Sequence, residues 1–487
     1  MLRESIDLVL RKSSQLGVTM KRRTLLTIAA TPLINTLCRA SNAIESDGRS
    51  IFEYGARGDG TADDSAAFKL AAEDVRLGKV GQLILPPGQY LIGRESLLFE
   101  GGGASLVFCA TQKGSATIKI DNSQNNPRPI IFRNFRNGLY IEGINFVDGH
   151  NYNGHGKVHN LVDIQNCQKV LVENCSFVGA SFYGLGIYES TRKGDPPLPC
   201  DDLVIRHNFF RGIGVIALEV FPKVTSESCE IYENMFIGCG GNWEKIISQG
   251  KEIASSSTCA MKPGQSFRRA RIYKNRIEDC AGGGIYLANI ESLTCYSNTL
   301  SNIGVDARSS RASSISITIA PHRLGYRGAF EHVEIKENYI SWDAPYPANH
   351  AAIQVNGGGM EKAGPIIITH NHIGGKIPAF HMKMRDPPEA SVSFRENRLE
   401  VASNKPPIFL ELGKLGHPSR KLDISVARNV FLSKQRENRY PLVRILNHGG
   451  VKKISITENS VHGTATKIVD VEGGAESITV DKNSFYQ

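Results

Sequence analysis

Ile205-Arg206-His207-Asn208-Phe209-Phe210 is one copy of a frame that decides the fold: an apolar residue, two variable residues, Asn, one variable residue, then Phe, Ile, Leu or Val. The frame returns at Asn234, Asn275, Asn298, Asn338, Asn371, Asn397, Asn429, Asn459 and Asn483. Two earlier copies, IEGINF and VENCSF, put Ile144 and Cys175 in the Asn position. Twelve copies therefore run from residue 144 to 483, spaced 23 to 41 residues apart. A supersecondary unit recurring at such a period marks a solenoid.

The runs flanking each copy alternate apolar and polar residues, as in Leu203-Val204-Ile205 and Gly284-Ile285-Tyr286-Leu287. Alternation of this kind marks strands. Asn tolerates a left-handed backbone, so each Asn is expected at a tight corner between strands. Stacked once per coil, its amide can bond to the coils above and below. The apolar residue two places on is expected in the core. The alternative architecture, a sandwich with repeated turns, does not explain twelve copies in one frame. The pattern resembles the right-handed parallel β-helix of the pectate-lyase-like superfamily over roughly residues 50 to 487. The fold class expected is all-β: a single-stranded right-handed parallel β-helix of about twelve coils with an N-terminal capping helix.

The expected divisions are a leader at 1–43, a cap with first strands at 44–100, and the β-helix at 101–487. The cap begins FEYGARGDGTADDSAAFKLAAEDV. Asp63, Asp64 and Ser65 suit a helix start, Phe68, Ala71 and Val75 share one helical face, and Gly78 suits the stop. Such a helix would cover the open edge of the first coil. The string resembles the opening of polygalacturonases, pectate-lyase-type β-helices and phage tailspikes, where its role is structural. Asp59, Asp63 and Asp64 are accordingly read as turn and cap residues.

The leader reads KRRTLLTIAATPLINTLC, then RASNA, from Met20 to Ala43. Arg22-Arg23 before a modestly apolar stretch, with Ser41 and Ala43 placed for cleavage, resembles a twin-arginine export signal. Residues 1 to 19 read as an over-called start. A periplasmic or secreted protein is expected, with the twin-arginine machinery as a partner and no membrane span in the mature chain. Nine of ten cysteines follow the leader, none spaced as a zinc site. Cys239 and Cys280 fall at matching places in consecutive coils and should stack, bonded or as a small apolar pair. After Asn483 only four residues remain, so the last coil is expected to be blunted by its own loops or by self-association.

The formal charge of +9 points to an acidic partner such as a uronic-acid polysaccharide or a phosphorylated surface. Nucleic acid is not expected, because dense Lys/Arg runs and recognition modules are missing. In this superfamily the substrate lies along one strand of each coil, expected eight to twelve residues after each corner. Alternation along those strands sends Tyr188, Glu219, Tyr286, Ser316, Thr318, Gln354, His381, Lys383, Arg385, Glu411 and Arg444 outward. His381, Lys383 and Arg385 succeed one another on one strand and are the catalytic candidates. His322, Arg323 and Tyr326, two coils earlier, join Glu219, Tyr188, Tyr286, Gln354, Glu411 and Arg444 as candidate substrate contacts.

A cationic strand suits a lyase or C5-epimerase on uronic acids: a cation neutralises the carboxylate, a base takes the C5 proton, an acid serves the leaving oxygen. A hydrolase needs two facing carboxylates, and Glu189 with Glu219 are the candidates. The polygalacturonase motifs do not carry over, since Gly154-His155-Gly156 precedes Asp201-Asp202 and that pair belongs to a turn. Pectate lyases carry an R-x-P-x-x-R element and calcium ligands. Arg385-Asp386-Pro387 matches its first half, while Ala390 stands in the final Arg position. Calcium therefore stays open as a cofactor, and no other cofactor is implied. The chain also resembles twin-arginine-exported β-helix proteins with no assigned activity, which keeps a non-catalytic binding or envelope solenoid open. An enzyme should bury a basic–acidic cluster on this face; a binder should show a flat row with Tyr188 and Tyr286 exposed.

Overall fold

The computed structural model describes residues 48–92, 96–121, 130–148, 160–189, 198–222, 224–241, 258–304, 313–319, 331–342, 351–358, 363–386, 388–401, 405–413, 422–433, 440–448, 451–463, 467–473 and 477–486. Within these, the side chains of residues 265, 266, 289, 319, 358, 385, 386, 401 and 433 stand outside the description. The chain winds as a parallel β-helix of right hand. Every strand pair has the parallel sense, and each strand pairs with the equivalent strand one coil away, as Leu203↔Cys229 shows.

Three stacks of strands result, of 13 to 15 strands each. Sheet A holds the strands that lead into each corner, from Arg49–Ser50 and Gln82–Leu85 to Ser477–Asp481. Sheet B, with 15 strands, follows the corner, from Asp59–Asp63 to Ser484–Tyr486. Its three strands before residue 144 carry no Asn frame; the other twelve are the copies read from the sequence. Sheet C closes the coil, from Leu97–Glu100 to Val469–Glu472. Cys259–Tyr273 and Gly283–Tyr296 each run through sheet C and sheet A without a break.

The Asn ladder forms as expected. Asn338 Nδ2 donates to Asn371 Oδ1 at 2.9 Å and to Cys295 O at 3.0 Å, while its Oδ1 accepts from Asn298 Nδ2 and Asn298 N, both at 3.0 Å. The same bonding links Asn208 through to Asn483. One detail is corrected: the left-handed residue is not the Asn but the one before it. His207, Glu233, Lys274, Ser297, Glu337, His370, Glu396, Arg428, Glu458 and Lys482 all have φ between 53° and 57°. The preceding residue absorbs the strain of the bend, so the Asn keeps an ordinary backbone and turns its amide into the coil.

Inside, like residues stack on like. Phe146, Phe177, Phe210 and Phe236 lie face to face with centroids 5.2, 4.8 and 4.7 Å apart. Strands only ~4.8 Å apart dictate that spacing. The N-terminal helix, α1 (Ser65–Arg76), buries Phe68, Ala71 and Val75 as its periodicity predicts. Asp64 at its start spends its carboxylate on the Arg57 and Gly58 amides, at 2.7 and 3.2 Å. Asp59 accepts from the Thr61 and Ala62 amides, each at 2.8 Å, as a turn residue should. Asp202 is left-handed, and Asp201 takes the Glu227 amide at 2.7 Å, so this pair makes a turn too. Cys239 and Cys280 sit buried as free thiols in consecutive coils.

Candidate functional site

The outer face of sheet C carries two rows of side chains that run across the strands. In the first row Asp163, Gly186, Glu219 and Lys262 occupy successive strands. Tyr286 comes next, because Met261 pairs with Ile285. Ser316, Gln354, His381, Phe409 and Arg444 complete it. In the second row Thr318, Asn356, Lys383 and Glu411 follow one another. The expected inward set, Ile187, Leu218, Ile285, Ile317, Val355, Met382 and Leu412, is buried to 1% exposure or less.

The basic strand Phe380–Asp386 lies where expected, but not as a run of unpaired cations. Lys383 Nζ is 2.7 Å from Glu411 Oε1 and 2.9 Å from Oε2. Arg444 is 4.0 Å from Asp470 and 3.8 Å from Glu472. His381 stacks on Phe409 with centroids 5.1 Å apart, and burial holds its pKa below the ordinary imidazole value. The Glu411 carboxylate works against that shift; Lys383 and Lys405 add to it. His381 Nε2 is buried with no hydrogen-bond partner among the described residues. The side chain of Arg385 lies outside the described residues, as do His322, Arg323 and Tyr326. So does the segment Gly154-His155-Gly156.

Toward the N-terminus the face buries a second polar cluster. Glu219, 6% exposed, accepts from Lys262 Nζ at 3.0 Å through Oε1. Opposite it on the other side stands Gly186, so Glu219 has a lysine and a glycine as row neighbours rather than Glu189. The carboxylate pairing that hydrolysis asks of Glu189 and Glu219 thus has no register behind it. Asp163 accepts from Asn160 Nδ2 at 2.8 Å, and the same nitrogen lies 3.4 Å from the Tyr188 hydroxyl. Arg133 donates to Gln165 Oε1 at 2.9 and 3.1 Å. Burial first, and the Glu219 charge next, push the Tyr183 phenol up. Tyr188 and Tyr286 are half-buried, not a flat exposed row. Gln354 is buried, taking a bond from Ser313 Oγ at 2.9 Å and giving one to Asn356 Oδ1 at 3.1 Å.

Lys262, Asp163, Gln165 and Tyr183 were not among the residues picked out from the sequence. The expected spacing of eight to twelve residues from corner to sheet C does not hold after Asn234, where sheet C begins only at Cys259. The alternation Cys259-Ala-Met-Lys-Pro-Gly264 held the signal, displaced by the intervening chain. Among the described residues no three His, Cys, Asp or Glu side chains gather into a group that could hold a metal. Among the described residues no helix is long and apolar enough to cross a membrane.

Pairing and register define the class: a right-handed parallel β-helix protein with a polar face along sheet C. Residues 137–321 match the family model described as "Right handed beta helix region". No curated protein sequence matches the chain. Among solved structures it is similar to the A-module of mannuronan C-5 epimerase AlgE6 from Azotobacter vinelandii, at 12% identity and TM-score 0.47, over 89% of this chain and 99% of that one. It is similar to PfbA, a surface adhesin of Streptococcus pneumoniae, at 14% identity and TM-score 0.48, over 85% and 90%. It is similar also to an exopolygalacturonase from Thermotoga maritima, at 14% identity and TM-score 0.39, over 90% and 92%. These likenesses say nothing of this chain's chemistry.

Proposed function

We propose that this protein acts on an acidic, uronic-acid-containing polysaccharide laid across the strands of sheet C, by abstraction of the C5 proton. The observation that carries the reading is His381: a half-buried imidazole whose pKa burial lowers, with a buried Nε2 unpartnered among the described residues, two residues along the strand from Lys383 and its partner Glu411. A neutral imidazole is the form a base requires, and the adjacent ammonium is the form a substrate carboxylate requires.

His381 Nε2 takes the proton from C5, beside the carboxylate. The electrons of that C–H bond form the C4–C5 double bond as the C4–O bond breaks. The imidazolium then returns its proton to the leaving oxygen. Reprotonation of C5 by water on the opposite face, with the C4–O bond intact and His381 releasing its proton to solvent, gives the epimer instead. Lys383 serves the carboxylate in either course, because its pair with Glu411 is open to water and weakly held, unlike the more deeply buried Glu219–Lys262 pair. Tyr188 and Tyr286 are half-buried rather than a flat exposed row, which favours an enzyme over a passive binder. With the leader read as a twin-arginine signal, the polymer met is one outside the cytoplasm.

The test is absorbance near 235 nm on a panel of polyuronates, with and without calcium, together with NMR of C5–H exchange in deuterium oxide. A signal lost in His381→Ala and Lys383→Ala supports the reading. Neither absorbance nor exchange on any polyuronate would sink it and leave the binding solenoid.

A further inference from the structure

We propose that the sheet C face carries a second, separate site, which binds one uncharged sugar ring between Tyr183 and Tyr286, beside the Glu219–Lys262 pair. It goes beyond the reading at His381. The two places stand five strands apart in one row, about 24 Å at ~4.8 Å per strand.

Three observations carry it. First, Val215, Ile216 and Cys259 form an apolar patch distinct from the main core. Half-buried Phe182, Tyr183 and Tyr286 pack against it. Phe182 and Tyr183 stack with centroids 4.0 Å apart. The patch itself is only 1% exposed, so the half-buried rings that cover it present the surface a pyranose would meet with its C–H face. Second, Glu219 is more than nine-tenths buried; the Tyr183 phenol interacts with its carboxylate, yet Oε2 has no partner in hydrogen-bond geometry among the described residues. A buried acceptor left open costs free energy until a donor arrives. A sugar hydroxyl is such a donor. Third, Lys262 Nζ, 3.0 Å from Glu219 Oε1, keeps two further N–H donors for ring oxygens. Acceptor and donor side by side match the adjacent hydroxyls of a hexose.

Charge decides the class of ring. The Lys262 ammonium is already neutralised by Glu219, and the open atom of the pair is a carboxylate oxygen. A uronate ring would set its own carboxylate against that oxygen in a poorly solvated place, where like charges repel strongly. A neutral hexose meets no such cost. If both sites hold one chain, that chain carries both charged and uncharged rings.

The experiment measures binding by calorimetry in the full chain carrying His381→Ala and Lys383→Ala, so the His381 reading plays no part in the outcome. The probes are cellotriose, laminaritriose, mannotriose and galactotriose, against trigalacturonate and trimannuronate. At least one neutral trisaccharide should bind, at least tenfold more tightly than either uronate. Glu219→Gln, Lys262→Met and Tyr286→Ala should each weaken it at least tenfold. Tyr286→Phe, which keeps the ring, should retain binding and control for folding. No neutral trisaccharide bound, tighter uronate binding, or binding indifferent to Glu219 and Tyr286 would each overturn the proposal.

Discussion

Lys383 and Glu411 face each other at one register position of sheet C, with the ammonium 2.7 Å from the carboxylate. Their side chains are 39% and 32% exposed. A pair this open to water contributes only ~0–1 kcal/mol to stability. Lys383→Met should therefore leave the melting temperature nearly unchanged, while cutting kcat/KM on polyuronates about a hundredfold through the lost carboxylate partner. Melting curves beside turnover would check this; a large fall in melting temperature would make Lys383 structural instead.

His381 links pH to stability. Burial lowers its folded pKa below the ordinary value near 6.5. Between those two pH values the unfolded chain binds the proton more readily. The stabilisation is therefore complete above about pH 6.5 and is lost as pH falls toward the folded pKa. His381→Phe keeps the stack on Phe409 without the titration, so its denaturation midpoint should change less between pH 7 and pH 5 than the parent's. Equal slopes would deny His381 this role.

The Asn ladder should be costly to interrupt. Asn338→Ala removes four hydrogen bonds and strands the buried Asn298 amide and Cys295 carbonyl. The loss expected is roughly 3 kcal/mol or more, counting the orphaned groups. Asn483, half-buried on the last coil, should matter less when replaced. Urea unfolding of the two variants decides; equal midpoints would mean the ladder bonds contribute little.

The cysteines should be inert in the native state. Eight of the described nine are buried, and Cys109 is half-buried. Burial pushes the Cys167, Cys175 and Cys295 thiols up to about 12. A thiol held protonated is a poor nucleophile. Dithionitrobenzoate at pH 8 should label at most Cys109 in a native chain lacking residues 1–43, and all nine thiols after unfolding. Fewer than nine on unfolding would reveal a disulfide, with Cys239 and Cys280 the first pair to test.

Much of the fold was legible because the Asn frame and the strand alternation are local patterns. Phe210, Phe236 and Ile277 fall inside because each stands two places after its Asn, and the helix face of Phe68, Ala71 and Val75 followed from periodicity alone. The corner was legible in place but not in detail. The bend falls on His207 or Glu233, whose identities vary, while the constant Asn marks the bonding partner. Lys262 escaped because the distance from corner to sheet C changes from coil to coil.

The sequence by itself determined the winding, the inward residues and, where the corner-to-strand spacing is regular, which side chains face out on sheet C. Only the tertiary structure decided which of those side chains meet. Glu219 and Lys262 are 43 positions apart in the chain and 3.0 Å apart in space. Lys383 finds Glu411 across 28 positions. In a parallel stack each outward residue meets the one a full coil later, and inserted loops vary the length of that coil. Local periodicity fixes the direction of a side chain; register between coils, set by the ladder and the core, fixes its partner.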